Sequence, residues 1–191
     1  NLEQGSSGSS AGSASAVVAG LVGFAIGTET LGSIVSPSTR CSASGLRPSY
    51  GRVSRTGAMA LSWTMDKIGP ICRSAEDCAI VFNTIVGTDG KDQSLIDLPF
   101  NYNATTSLSD LRIGYIKDYF EADYRNKAKD SASLEVLRSL GADLKPVSLP
   151  NTLPLGSMYP ILSVEAAAAF DELTRSNQDS LMVRQIKNAW P

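Results

Sequence analysis

Residues 5–15 carry Gly at 5, 8 and 12 and Ser at 6, 7, 9, 10, 13 and 15, and they run without a break into Ala14–Val22, which is small and apolar on every side. Composition alone makes the first stretch a flexible linker. The second reads as a helix buried all round, and a floppy tether is an improbable lead into such an element. Either the serines are a scar, or their hydroxyls and the glycine backbone are held against something.

The pattern downstream implies what that something is. Phe24–Ile26 followed by Gly27 suits a short interior strand, Thr28–Gly32 a loop, and SIVSPSTRCSA from Ser33 a helix with Pro37 tolerated in its first turn. Leu46–Pro48 and Arg52–Ser54 read as extended chain between turns. Ser74 with Asp77 resembles a capping box, and Cys78, Val81, Phe82, Ile85 and Val86 recur at helical spacing before Gly87 ends the run. Thr88–Asp110 is polar and turn-rich, a surface loop. Leu111–Tyr115 is a predicted strand, Ala128–Leu140 a helix with Ala132, Val136, Leu137 and Leu140 on its inner face, Asp143–Val147 a second strand, and Val164–Leu173 an Ala-rich helix. Strand, helix, strand makes the class α/β.

Composition removes several kinds of function. The 191 residues contain 17 Lys+Arg against 19 Asp+Glu and show no basic stripe, so no direct nucleic-acid binding is expected. No apolar run approaches the ~18 residues of a membrane span. There is no histidine, which removes Ser–His–Asp and Cys–His sites and His-ligated metals. Cys41, Cys72 and Cys78 form no C-x-x-C pair. Sparse cysteines of this kind suit a reduced, cytoplasmic setting, and neither a metal nor a cofactor is expected.

Ser33 stands between a Gly-containing loop and a helix start. There a hydroxyl and several backbone N–H groups can converge on one point, the arrangement of a nucleophile beside an oxyanion hole. The plainer reading is an N-cap serine, which needs no function at all. The lone segment leaves both open.

Four motifs in order go further. GSSAGSASAV at Gly8–Val17, GTETLGSI at Gly27–Ile34, GLRPSYGRVSR at Gly45–Arg55 and DKIGP at Asp66–Pro70 together resemble the amidase signature family. The resemblance implies a large mixed β-sheet flanked by helices, of which this chain supplies the central part. Residues 1–87 would form the signature core, 88–110 a surface loop and 111–191 an αβ continuation of the same domain, with both ends reading as cuts. It also implies amide hydrolysis by a Ser–cis-Ser–Lys triad through an acyl-enzyme. Ser33 matches the nucleophile and Ser9 the cis-serine that relays the proton, after a cis peptide at Gly8–Ser9. The backbone N–H groups of Thr30, Leu31, Gly32 and Ser33 match the oxyanion hole, and Ser10 supports the network around Ser9. The triad lysine matches no residue here, since it belongs upstream of the Gly/Ser motif; Lys67 matches a structural position.

The departures bear on substrate. Leu31 replaces the first of the usual two glycines, putting a bulky side chain near the pocket, and Glu29 replaces a more common Asp. Val35 stands where many members have Arg. These tilt the expectation toward a general amidase acting on a small amide, ester or carbamate. The alternatives are an aminoacyl-tRNA amidotransferase A subunit, which works with partner subunits that hold tRNA, and an inactive member acting by association with the rest of its protein or with a second copy. Cys41, Trp63 and Met65 read as packing residues. Arg47, Arg52 and Arg55 read as loop-fixing charges.

Overall fold

The computed structural model describes residues 4–181. In chain order they form α1 (Ala11–Val18), β1 (Ala25–Glu29), α2 (Val35–Cys41), β2 (Ser44–Gly45), β3 (Lys67–Cys72), α3 (Ala75–Ile85), β4 (Ile113–Ile116), α4 (Lys117–Glu121), α5 (Lys127–Ser139), β5 (Leu144–Val147), α6 (Tyr159–Ala169) and α7 (Asp171–Arg175). The strands fall into two sheets: an antiparallel one ordered β1-β3-β2 and a parallel pair, β4-β5. Contacts among the described residues divide the chain between Tyr102 and Asn103 and again between Leu155 and Gly156, so α6 and α7 belong with the first unit.

In the first unit the register of β1 on β3 runs from Ala25↔Ile71 to Glu29↔Lys67. Alternation along β1 turns Gly27 and Glu29 inward and Ile26 and Thr28 outward. Ala14 and Val17 of α1, Ile34 ahead of α2 and Ile71 of β3 make the core, with Ala25, Cys41 and Ala43 against it. Cys41 therefore packs. Close approach is built from glycine: a Cβ at Gly69 would fall on the Leu46 carbonyl and on Pro48. The capping serine is in place before α3, where the Ser74 hydroxyl accepts from Asp77 N–H at 3.0 Å.

Two expectations need correction here. The helix expected over 14–22 starts earlier and stops at Val18, with Gly20 in the left-handed region at φ 74°. Leu21, Val22 and Phe24 are consequently exposed. The Ala-rich segment is two helices, α6 and α7, parted at Phe170.

The second unit is a β4–α5–β5 unit whose strands pair in parallel from Ile113↔Leu144 to Ile116↔Val147, as a helical crossover requires. The inner face of α5 is carried by Leu134 and Leu137, whereas Ala132, Val136 and Leu140 are exposed. The expected stripe was rotated because Val136 and Leu140 are apolar without being covered.

The glycine at 69 gives a direct check. Replacing it with Ala in the whole protein should lower stability by about 1–3 kcal/mol through overpacking against backbone, read as a fall in denaturant midpoint at unchanged slope.

Candidate active site

The site begins at the β1–α2 junction. Glu29, 5% exposed, ends the strand with its side chain inward. Its Oε2 accepts from the backbone N–H groups of Ile34 at 2.8 Å and Val35 at 2.9 Å, and Arg47 Nε lies 3.7 Å from Oε1. These donors open α2 and would otherwise be orphaned. A carboxylate at a helix N-terminus also meets the positive end of the macrodipole. The N-cap residue is Ile34, so Ser33 is not the capping serine that its position suggested. Its hydroxyl has no hydrogen-bond partner among the described residues. Neither do the backbone N–H groups of Thr30, Leu31, Gly32 and Ser33.

The Gly/Ser stretch is fixed to the outer edge of β1. The Ser10 hydroxyl accepts from Thr28 N–H at 3.1 Å and donates to Thr28 O at 3.2 Å, and Ser13 donates to Ile26 O at 2.8 Å. Ser10 N–H donates to Ser33 O at 3.1 Å, joining this stretch to the loop before α2. Ser7 and Ser36 share a 2.6 Å hydrogen bond. Between these anchors the Gly8–Ser9 peptide is cis, and the Ser9 hydroxyl has no partner among the described residues. A linker or a scar would show none of this.

Ser9, Thr30 and Ser33 line one cavity of about 350 Å³. Leu31 and Gly32 lie in the loop between Thr30 and Ser33, and Gly8 and Ser10 flank Ser9. Gly32 has φ 99°, a conformation that admits glycine and few others. The Leu31 side chain, expected near the pocket, is 62% exposed and lies between two lining residues without itself lining the cavity.

The opposite wall comes from residues 55–68. Trp63, expected in the core, is 48% exposed and faces this cavity, as does Met59 at 85% exposure. The Arg55 charge in the wall is matched by Asp92. Arg55 binds Asp92 at 3.2 Å, Ser94 at 2.9 Å and Tyr50 at 3.0 Å, and it also donates to the Trp63 carbonyl. Hydrogen bonding from Ser94 and then Arg55 holds the Asp92 carboxyl well below the usual carboxylate range. Arg52 donates to Leu98 O at 2.9 Å. Both arginines thus tie the 88–110 loop to the turns around residue 52.

Lys67 lines the cavity with its Nζ donating to Thr30 O at 3.0 Å and to Met65 O. Burial and, next, the Arg47 charge lower its pKa. The thiol of Cys72 is buried and pushed up to about 12 by desolvation, and it is remote from this chemistry.

Residues 1–189 match the family model described as Amidase. The chain belongs to the amidase family. It is 44% identical over 174 residues to the A subunit of the glutamyl-tRNA(Gln) amidotransferase of Roseiflexus castenholzii, covering 88% of this chain and 36% of that protein. Among solved structures it resembles the peptide amidase of Stenotrophomonas maltophilia at 34% identity and a TM-score of 0.74, over 93% of this chain and 38% of that one. It also resembles the A subunit of the glutamyl-tRNA(Gln) amidotransferase of Thermotoga maritima at 29% identity and a TM-score of 0.78, over 92% and 41% of the two chains. The chain thus spans little more than a third of these relatives.

Sequence reasoning missed the supporting carboxylates. Glu29 stood out only as a replacement for Asp, because it lies five positions ahead of the N-cap, outside the N-cap and N3 positions at which capping residues are read. Glu165 has its partners a hundred residues away in the chain, and Asp92, although Ser94 lies two residues on, meets Arg55 only across 37 residues.

Two measurements probe this scaffold. Glu29→Ala should destabilise the whole protein by about 1.5–3 kcal/mol through two lost charge-assisted bonds, measured by denaturant unfolding. Asp92 has a pKa lowered on folding, so its contribution is present above the unfolded value near ~3.9 and is lost as pH falls through the folded value. Asp92→Asn should therefore lower stability at neutral pH and flatten the decline below about pH 4, read from melting temperature against pH.

Proposed function

We propose that this chain carries the nucleophile, proton relay and oxyanion loop of an enzyme that cleaves amide C–N bonds through an acyl-enzyme. One observation carries this reading: Glu29 takes the first N–H groups of α2, leaving Ser33 and Ser9 to face a common cavity with unpartnered hydroxyls. Ser33 Oγ attacks the carbonyl carbon. Its proton passes to Ser9 Oγ as the Ser9 proton passes to a neutral lysine, which the family resemblance puts upstream of the Gly/Ser motif. The N–H groups of residues 30–33 stabilise the oxyanion, a role worth about 3–4 kcal/mol per donor in comparable sites. The proton returns to the departing nitrogen, and water attacks the ester to release the acid and restore Ser33.

Lys67 is a poor candidate for the base, since its amine already donates to two carbonyl oxygens in the loop and the wall. The exposed Met59 and Trp63 favour an uncharged, apolar acyl group. Free Cys72 and Cys78 are compatible with a reducing, cytoplasmic location.

A second reading is favoured by the names of the curated relatives: an amidotransferase A subunit, using the same serines within a larger complex. The whole protein purified alone separates the two. Turnover of simple primary amides without partner subunits supports the hydrolase, whereas activity only after adding partners supports the amidotransferase. Inertness under both conditions would favour the inactive member. In either active case Ser33→Ala should lower kcat by roughly 10⁴-fold or more and Ser9→Ala by roughly 10²–10⁴-fold. An acylated peptide containing Ser33, trapped by rapid quench and found by mass spectrometry, identifies the intermediate. Full activity in Ser33→Ala would end the proposal.

A further inference from the structure

The carboxylate of Asp66, just ahead of β3, stands between the oxyanion loop and the apolar wall and is bonded to both. Its Oδ1 accepts from Thr30 Oγ1 at 2.5 Å. Its Oδ2 accepts from the backbone N–H groups of Leu61 at 2.8 Å and Ser62 at 3.0 Å. An ionised carboxylate only accepts, and three donors converging on one make a stiff, charge-assisted junction. Its neighbour Lys67 grips the carbonyl of the same threonine. Thr30 is thus held through both hydroxyl and carbonyl, from the strand that pairs with Glu29.

The wall has separate anchors on its other sides. Glu165 of α6 accepts from Ser62 Oγ, from Thr64 N–H at 3.2 Å and from Thr64 Oγ1 at 2.8 Å, while Arg55 and Tyr50 hold the Trp63 carbonyl. Asp66 links the loop to the wall at Leu61 and Ser62, whereas the Lys67 amine links it to the wall only at Met65, outside the Met59–Trp63 stretch.

We propose that Asp66 is a positioning residue that couples occupancy of the Met59–Trp63 wall to the placement of the oxyanion loop, a proposal that rests on the catalytic reading above. An acyl group pressed against the wall sets the Leu61 and Ser62 amides. Those amides set the carboxylate, and the carboxylate sets Thr30. Contacts remote from the reacting carbon then raise kcat as well as affinity, because donor alignment matters most when charge has developed on the oxygen.

The test is a double-mutant cycle in the whole protein, with p-nitrophenyl acetate and p-nitrophenyl 3-phenylpropionate as probes. In the wild type the longer acyl group should have the higher kcat, and Trp63→Ala should remove about tenfold of it. Thr30→Val, which keeps shape but cuts the hydroxyl bond to Asp66, should bring the ratio of kcat for the longer ester to kcat for acetate down to about one, whatever it does to acetate itself. Adding Trp63→Ala to Thr30→Val should then change KM alone. Thr30→Ser, which restores a hydroxyl, should restore the kcat dependence on acyl length. A purely structural role for Asp66 would instead shift kcat for both esters equally in Thr30→Val and leave the Trp63→Ala effect intact. That additive result, with turnover still abolished by Ser33→Ala, overturns the coupling and spares the catalytic reading. Turnover independent of Ser33 overturns both.

Discussion

The acceptance of two backbone N–H groups by one buried carboxylate oxygen, that of Glu29, is the contact on which the site depends. A helix start needs its early donors satisfied, and the ordinary solution is the serine next to it. Here an acid at the end of the preceding strand takes over that task from inside. The strand, the loop and the helix are thereby locked in one geometry. Ser33 lines the cavity with a hydroxyl that has no partner among the described residues.

A second layer of acids repeats the device around the cavity. Asp66 binds loop and wall, Asp92 holds Arg55 against the turn residues, and Glu165 fastens the wall to α6. Each carboxylate gathers two or more donors. Buried or half-buried anions are tolerable on those terms, and the polar network leaves the exposed apolar side chains of Met59 and Trp63 to meet a ligand.

Much of this was legible in the chain itself. The family, the α/β class, the capped helix after Ser74 and the β–α–β unit near the centre all follow from local pattern. The strand at Lys67–Cys72 does not, since Gly69 and Pro70 argue against a strand in the middle of a sheet. It is tolerated because β2, paired only at Ser44 and Gly45, leaves Pro70 facing Leu46, whose N–H donates to the proline carbonyl. Trp63 was misplaced for a similar reason: an aromatic reads as core unless the cavity beside it is known. Glu165 bonds across a hundred residues of chain to Ser62, and no sequence window contains that pair.

The serine stretch along β1 works as a ruler. Ser10 and Ser13, one helical turn apart, meet Thr28 and Ile26, two residues apart on the strand, so turn and pleat are matched step for step. An insertion or deletion of one residue between them would rotate the rest of α1 by about 100° and lift a serine off the edge. Length variation should therefore be rejected in the serine stretch. The strip that carries Ser9 is thus fixed in count and in the two serines, Ser10 and Ser13, that pin it to the strand.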